Sequence, residues 1–351
     1  MLDSLVSAVR LKGVDWFAWL TAGGSSAVLL ASETGVAEIF ITMEKAWIVT
    51  TTIESERLRA EEVSADFEMA ECPWFAARGM DILTRKLEGG GRIISDRPGL
   101  GEEGLPESFL RLRLRFLPEE IARYRILAQE AAKAMTEALS ACDPKWSEWR
   151  LAGEGARALW SRGLEPALIL VGGEQRLPHW RHPVATNALI GGRAMMVFCA
   201  RKHGLYANLT RFVSFRKSTP AEISRSNAVM ELEATAFEHT RPGGSLLSVF
   251  ESLRSKYTSM GFREQVQQQH FGGTTGYLSR EKLASPTQVG SPTPAPFETA
   301  QAFAWNPTLP GAKIEDTVLL TETGLEVLTI DPAWPTVTSN GRSRPQVWEK
   351  P

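Results

Sequence analysis

The chain has little of what marks proteins for specialised partners. Three cysteines in 351 residues, Cys72, Cys142 and Cys199, are too few and too scattered for a disulfide framework or a zinc cluster. Cys199, inside the apolar run AMMVFCA, reads as a small core residue. Charge of either sign is not in excess: the formal net charge is −2, with acids and bases interspersed. That excludes a broad electrostatic footprint for nucleic acid or an anionic membrane. No run approaches the roughly 20 apolar residues that span a bilayer. The opening MLDSLVSAVRLKGVDWFAWL carries Asp3 and lacks the basic start and unbroken apolar core of a secretory signal. A reducing cytoplasm is the expected compartment, with neither membrane nor nucleic acid as a partner.

What is present is ordinary in amount and informative in arrangement. Hydrophobic residues at 43% and charged residues at 23% fit a globular protein, and the length predicts two domains. Residues 1–116 read as a small α/β domain. SSAVLLAS, AEIFIT and AWIVTTT are predicted strands, TIESERLRAEEV is a predicted helix, and the Gly- and Pro-rich SDRPGLGEEGLP closes the unit. Residues 117–351 read as helix, helix, strand and hairpin, then much the same again, which predicts an internal repeat. The helices are LPEEIARYRILAQEAAKAMTEALSAC, KWSEWRLAGEGARALWSRGL, TPAEISRSNAVMELEATAFEHT and LLSVFESLRSKYTSMG. ALILVGG, the hairpin around RKHGLYANLTRFVSF, TAQAFAWN and KIEDTVLLTETGLEVLT supply strands. ASPTQVGSPTPAPFE is predicted to be a loop. Trp334 and Trp348 predict that the C-terminal stretch packs against the domain.

Several of these strings meet a known family. KIEDTVLLTETGLEVLT resembles the final hairpin of the creatinase, prolidase and aminopeptidase-P superfamily, the pita-bread proteins, usually written RIEDTVLVTExG. GLYANLTRFVSF is similar to its GYxSDLTRT hairpin, and LPEEIARYRILAQEAA to the helix that opens its catalytic domain. The resemblance covers nearly the whole chain. It implies an α/β (α+β) architecture, with a creatinase-like N-terminal domain at 1–116 and a pita-bread domain with pseudo-twofold repeat at 117–351.

Hydrolytic members of that family hold two divalent metals with two Asp, one His and two Glu. Two hard cations about 3.5–4 Å apart need bridging carboxylates to offset their charge. The resemblance places these five positions at Val197, Asn208, Gly273, Asn306 and Glu315. Only Glu315 is a carboxylate, so no metal and no other cofactor is expected.

The family's metal-free precedent, creatinase, cleaves a carbon–nitrogen bond with histidine and glutamate. Its histidine matches His179, with His182 three residues on as the competitor. Histidine suits proton transfer because its pKa lies near neutrality. The expected catalytic groups are therefore His179, Glu315 and His270. The expected ligand-binding groups are His182, Asn208, Tyr277, Arg280, Asn306 and Lys313. Gly272 and Gly273 are expected to let backbone amides approach a ligand.

The leading functional expectation is metal-independent hydrolysis of a small amino-acid-like or peptide-like C–N bond. A non-catalytic peptide- or protein-binding module is the alternative, and an Xaa-Pro peptidase the second alternative. A homodimer is expected, since relatives commonly pair and 11 Trp offer interface surface.

Overall fold

The computed structural model describes residues 6–88, 90–286 and 295–350. It divides into two units, residues 1–113 and 114–351. Unit one builds a six-stranded sheet in the order β4-β3-β2-β1-β5-β6. In chain order its elements are β1 (Val6–Gly13), α1 (Val14–Leu20), β2 (Thr34–Ile41), β3 (Ala46–Thr51), α2 (Ser55–Glu61), β4 (Glu68–Cys72), α3 (Gly79–Glu88), β5 (Arg92–Ser95), β6 (Glu102–Gly104) and α4 (Glu107–Leu114). Leu11, Phe17, Ile39, Ile48 and Leu58 form one apolar layer, and Ala8, Phe40, Val49, Ala70 and Ile93 another. Alternation along the strands sends neighbouring residues to opposite layers.

One predicted strand fails here, and one strand was not predicted. SSAVLLAS is irregular, with Val28, Leu29 and Leu30 exposed. The run is apolar on both would-be faces but has no neighbouring strand to bury them. The first strand is instead VSAVRLKG, in which Arg10 is buried and meets Glu38 at 2.7 Å, Glu102 at 2.8 Å and Asp81 at 2.9 Å. A charge inside a core strand weakened the apolar signal there.

Unit two repeats one plan twice. The first half comprises α5 (Pro118–Ser140), α6 (Glu148–Trp160), β7 (Glu165–Gly173), β8 (Arg193–Lys202) and β9 (Leu205–Ser214). The second comprises α7 (Pro220–His239), α8 (Leu246–Ser259), a 3-10 turn at Arg263–Gln268, β10 (Gly272–Thr275), β11 (Lys282–Leu283), β12 (Gln301–Trp305), β13 (Thr308–Leu309), β14 (Ala312–Lys313), β15 (Asp316–Thr321) and β16 (Gly324–Val327). A C-terminal strap follows, made of β17 (Thr336–Ser339), β18 (Arg342–Pro345) and β19 (Trp348–Glu349). The main sheets run β19-β9-β8-β7 and β11-β10-β12-β15-β16. An isolated antiparallel bridge, Thr210 with Glu315, joins them.

Local chemistry explains the ends of these elements. α7 starts at Thr219, whose hydroxyl accepts from the Glu222 N–H while the Glu222 carboxylate accepts from the Thr219 N–H, with Pro220 just inside. The β8–β9 turn is His203-Gly204, with φ of 51° and 76°; both residues left-handed is what a two-residue hairpin of matching twist requires. α5 buries Ala128, Ala131, Ala132, Ala134 and Ala138, small side chains that let it lie close on β8 and β9.

The strap is docked, as its tryptophans predict. Trp334 is buried and stands edge-on to Trp348 at 5.2 Å. All three cysteines are buried and free. The Pro-rich loop at 284–298 lies partly outside the described residues. Among the described residues no helix is long and apolar enough to cross a membrane.

Candidate functional site

The β8–β9 hairpin fixes which side chains can meet. Val197 pairs with Thr210 and Cys199 with Asn208, so these four share one face of the sheet. The face divides. Val197 joins Leu170, Leu177, Met195 and Phe212 in an apolar cluster, whereas Asn208 and Thr210 turn to polar partners on the second half. Thr317 binds the Asn208 backbone at both ends: its Oγ1 accepts from the N–H at 2.7 Å and donates to the carbonyl at 3.0 Å.

Glu315 is the centre of the polar part, and it is 1% exposed. Its Oε1 accepts from Arg280 Nη2 at 2.6 Å, and its Oε2 accepts from Thr210 Oγ1 at 2.9 Å with Lys313 Nζ at 3.2 Å. Lys313 reaches it because residues two apart on a strand share a face. Burial by itself raises a carboxylate's pKa, but Lys313, Arg280 and the Thr210 hydroxyl outweigh it and hold Glu315 down to about 2.

Two imidazoles lie beside this cluster. His182 and His270 have ring centroids 5.8 Å apart. Burial, then the Arg280 charge, lowers His270 to about 4, and His182 is lowered by desolvation and by Lys313. Cys199 is pushed up to about 12, mainly by burial; it is a buried thiol without nucleophilic character at neutral pH.

His270 and Glu315 each add an acid-labile contribution to stability. Between pH 6.5 and 4 the unfolded chain holds a proton on His270 that the folded chain excludes. Between pH 4.5 and 2 the same is true of Glu315. At each of these two groups the unfolded state binds more protons, so its contribution to stability falls as pH falls, whereas buried Glu233, raised to about 7 by burial, works in the opposite sense between pH 7 and 4.5. The losses are on the order of 2 kcal/mol for half-buried His270 and 3 kcal/mol for Glu315. Urea unfolding measured from pH 7 to 4 should show the wild type losing more stability, relative to pH 7, than His270→Asn does, the difference isolating His270. An unchanged profile in that variant would refute the assignment.

The structure brings together Glu315, Lys313 and Arg280, with His270 and His182 close by. Asn208 and Asn306 border this cluster, and His179 and Tyr277 lie apart from it. His179 is exposed on a turn, with its ring against Trp180 and its N–H on the Arg176 carbonyl. Tyr277 is buried beside Phe116, and its hydroxyl donates to Glu120 Oε1 at 2.5 Å. Asn208 donates through Nδ2 to Thr275 Oγ1 at 3.2 Å, and that hydroxyl in turn donates to the Leu278 carbonyl. This chain of donors fixes the amide's orientation. Its Oδ1 is buried with no hydrogen-bond partner among the described residues, as is that of Asn306. Extending the Trp305–Asp316 register by one residue puts Asn306 opposite Glu315.

Thr210 and Thr275 were missed from the sequence. Alternation from Asn208 was the available signal for Thr210. Arg211, the arginine of the LTR string, is structural: its Nη2 donates to Asp316 Oδ1 and to the Thr329 carbonyl, both at 2.7 Å.

The glycine pair is a correction. Gly272 and Gly273 do not line an opening; they are buried in β10 between β12 and β11. A Cβ on Gly273 would sit 1.9 Å from the Lys282 carbonyl oxygen, and one on Gly272 2.0 Å from that of Ala304. Close strand approach, and φ of +102° at Gly272, explain both residues.

The five positions that the resemblance assigns to metal ligands do not fit a pair of dications. Val197 and Gly273 supply no side-chain donor, Asn208 and Asn306 supply neutral amides, and the one carboxylate is closed by two cations. Among the described residues no group of three or more His, Cys, Asp or Glu is placed to hold a metal ion.

Comparison with known proteins places this site in context. The uncharacterized peptidase YqhT of Bacillus subtilis (strain 168) is 27% identical over 237 residues, which is 64% of this chain and 65% of that protein, just under two thirds of its length. The X-Pro aminopeptidase of Thermotoga maritima MSB8 superposes with a TM-score of 0.76 at 17% identity, covering 98% of both chains. The N-terminal domain of FACT complex subunit SPT16 from Cicer arietinum does so with 0.71 at 12% identity, covering 93% of this chain and 91% of that one. At such identities the superpositions establish the pita-bread fold alone. The pattern of metallopeptidase family M24 matches residues 122–322, more than half of the sequence, and the chain therefore belongs to that family.

Proposed function

We propose that this protein is a metal-independent member of the family that binds a small peptide-like or amino-acid-like ligand without cleaving it. The observation that carries this reading is the state of Glu315. Both of its oxygens are engaged, by Arg280 on one side and by Lys313 with Thr210 on the other. A group in this state neither ligates a metal nor accepts a proton at neutral pH, because a useful general base has its pKa near the working pH. The cations supply charge where the family's metals would supply it, and they bind rather than activate water.

The test is metal analysis of purified protein combined with an assay on X-Pro dipeptides. Far less than one equivalent of Mn, Co or Zn per chain, and no release of the N-terminal residue with or without added metal, is the expected result. Two equivalents with chelator-sensitive release would restore the Xaa-Pro peptidase reading.

One observation favours a second reading, metal-free C–N hydrolysis. Two imidazoles that stay neutral at physiological pH, His182 and His270, stand 5.8 Å apart beside the Glu315 cluster. In that case His270→Ala abolishes turnover while the fold survives, and His179→Ala has little effect. Under either reading the protein is proposed to act as a cytoplasmic homodimer; a monomer mass by light scattering at micromolar concentration would overturn that.

A further inference from the structure

We infer that the second unit carries a binding site for a carboxylate attached to an apolar body, in a groove of about 600 Å³ between α7 and the C-terminal strap, with Lys313 as its charged wall. This deepens the binding reading above and rests on it. Thr210 and Phe212 of β9, Ile223 and Met230 of α7, and Val347 and Trp348 of the strap surround the space. The volume is in the range of small-molecule sites, as is the pairing of apolar walls with a few polar groups.

The groove is built before any ligand arrives. β19 pairs in parallel with β9, setting Trp348 beside Val213 and Glu349 beside Ser214. Arg344, 2% exposed, grips Glu233 of α7 at 2.6 and 2.7 Å and Asp316 of β15 at 2.5 Å. Trp334 Nε1 donates to the Gln346 carbonyl at 2.9 Å. The strap therefore forms a fixed wall, clamped to both the sheet and the helix. A preformed site spares a ligand the entropy of ordering its walls.

Charge selects the ligand's head. Arg211 also lines the groove, but it is matched by Asp316, and Arg344 by Glu233. Lys313 is not matched in this way: it shares the single carboxylate of Glu315 with Arg280. Among the described residues two cations share this one anion, which leaves one positive charge over at Lys313, a residue 6% exposed that borders the groove. A ligand carboxylate offsets it, and an ammonium adds to it. The carboxylate lining the groove, Glu349, accepts from the Ser218 N–H at 2.9 Å and is offset by the nearby Lys217 and Arg193 charges.

Two sources carry such a group, a fatty acid and the free end of an apolar peptide, and the test separates them. Decanoate and N-acetylleucine are titrated into the full chain by calorimetry, with decanol and N-acetylleucinamide as uncharged counterparts. One carboxylate per chain is expected to bind, with its neutral counterpart weaker by about tenfold or more. The tighter of the two acids identifies the source. Ile223→Trp, at a half-exposed helix position that tolerates bulk, should fill the groove and weaken binding by a similar factor. Lys313→Met should remove the preference for acid; if that variant does not fold, the wild-type comparison carries the charge test. Equal binding of acid and neutral partner by the wild type overturns the inference. So does wild-type affinity in Ile223→Trp, or no binding of either acid at about 5 mM. X-Pro hydrolysis with added metal would sink the functional proposal and leave these measurements standing.

Discussion

Asp316→Ala should lower the unfolding free energy by about 3–5 kcal/mol, the loss expected when a buried charge loses the counter-ion bonded to it. Asp316 is fully buried and accepts three short bonds, from Arg211 at 2.7 Å, Arg344 at 2.5 Å and the Thr329 hydroxyl at 2.5 Å. Arg344 keeps Glu233 when the aspartate is removed. Among the described residues Arg211 then keeps only carbonyl oxygens as hydrogen-bond partners, so a buried guanidinium loses the anion it is bonded to. The network ties β9, β15, α7 and the strap together, so its loss should loosen the strap as well as the sheet junction. Urea denaturation reads the effect directly, and a change below about 1 kcal/mol would show that water or rearrangement replaces the carboxylate. Removing Arg211 at the same time should cost less than the sum of the two single changes, because partners in one network are not additive. Arg211→Met with Asp316→Leu is the informative double variant.

This network marks the limit of what the sequence made legible. Elements with local signals were readable: the capped helices, the His203-Gly204 hairpin and the final hairpin beginning KIEDTV. Glu315 was readable because its motif is contiguous. Its partners were harder. Lys313, two residues away, and Arg280 were both among the expected groups, but Thr210 was not, and the pairing of Glu315 with Arg280, 35 residues away, and Thr210, 105 away, forms only when the two halves close. Whether His179 or His182 faces the cluster could not follow from a spacing of three in a loop; the turn through Arg176 and Trp180 decides it. The groove was invisible for the same reason. Arg344 and Glu233, which hold its wall, stand 111 residues apart, and neither sits in a pattern. SSAVLLAS failed in the other direction, because an apolar run makes a strand only when a neighbour covers it.

Gly273→Ala should prove as damaging as many core deletions, with a loss of about 3 kcal/mol or more. The new Cβ meets the Lys282 carbonyl oxygen at 1.9 Å and the Leu283 Cα at 2.9 Å. Both are backbone atoms of β11, so no rotamer change relieves the clash and β10 must part from β11. This bears on function because Gly273 stands where the family resemblance puts the metal-binding histidine. A histidine there has the same Cβ and a larger ring behind it. Installing carboxylates at Val197, Asn208 and Asn306 therefore does not rebuild a metal centre: one ligand has no room, and Lys313 and Arg280 remain on the carboxylate that would bridge. The variant carrying Val197→Asp, Asn208→Asp, Gly273→His and Asn306→Glu should take up no stoichiometric Mn or Co and should unfold at lower urea than the wild type. If instead Gly273→Ala unfolds within about 1 kcal/mol of the wild type, and the fourfold variant binds two metals per chain, the frame has kept its metal geometry. The closure of Glu315 by two cations would then be a reversible substitution, not a rebuilt site.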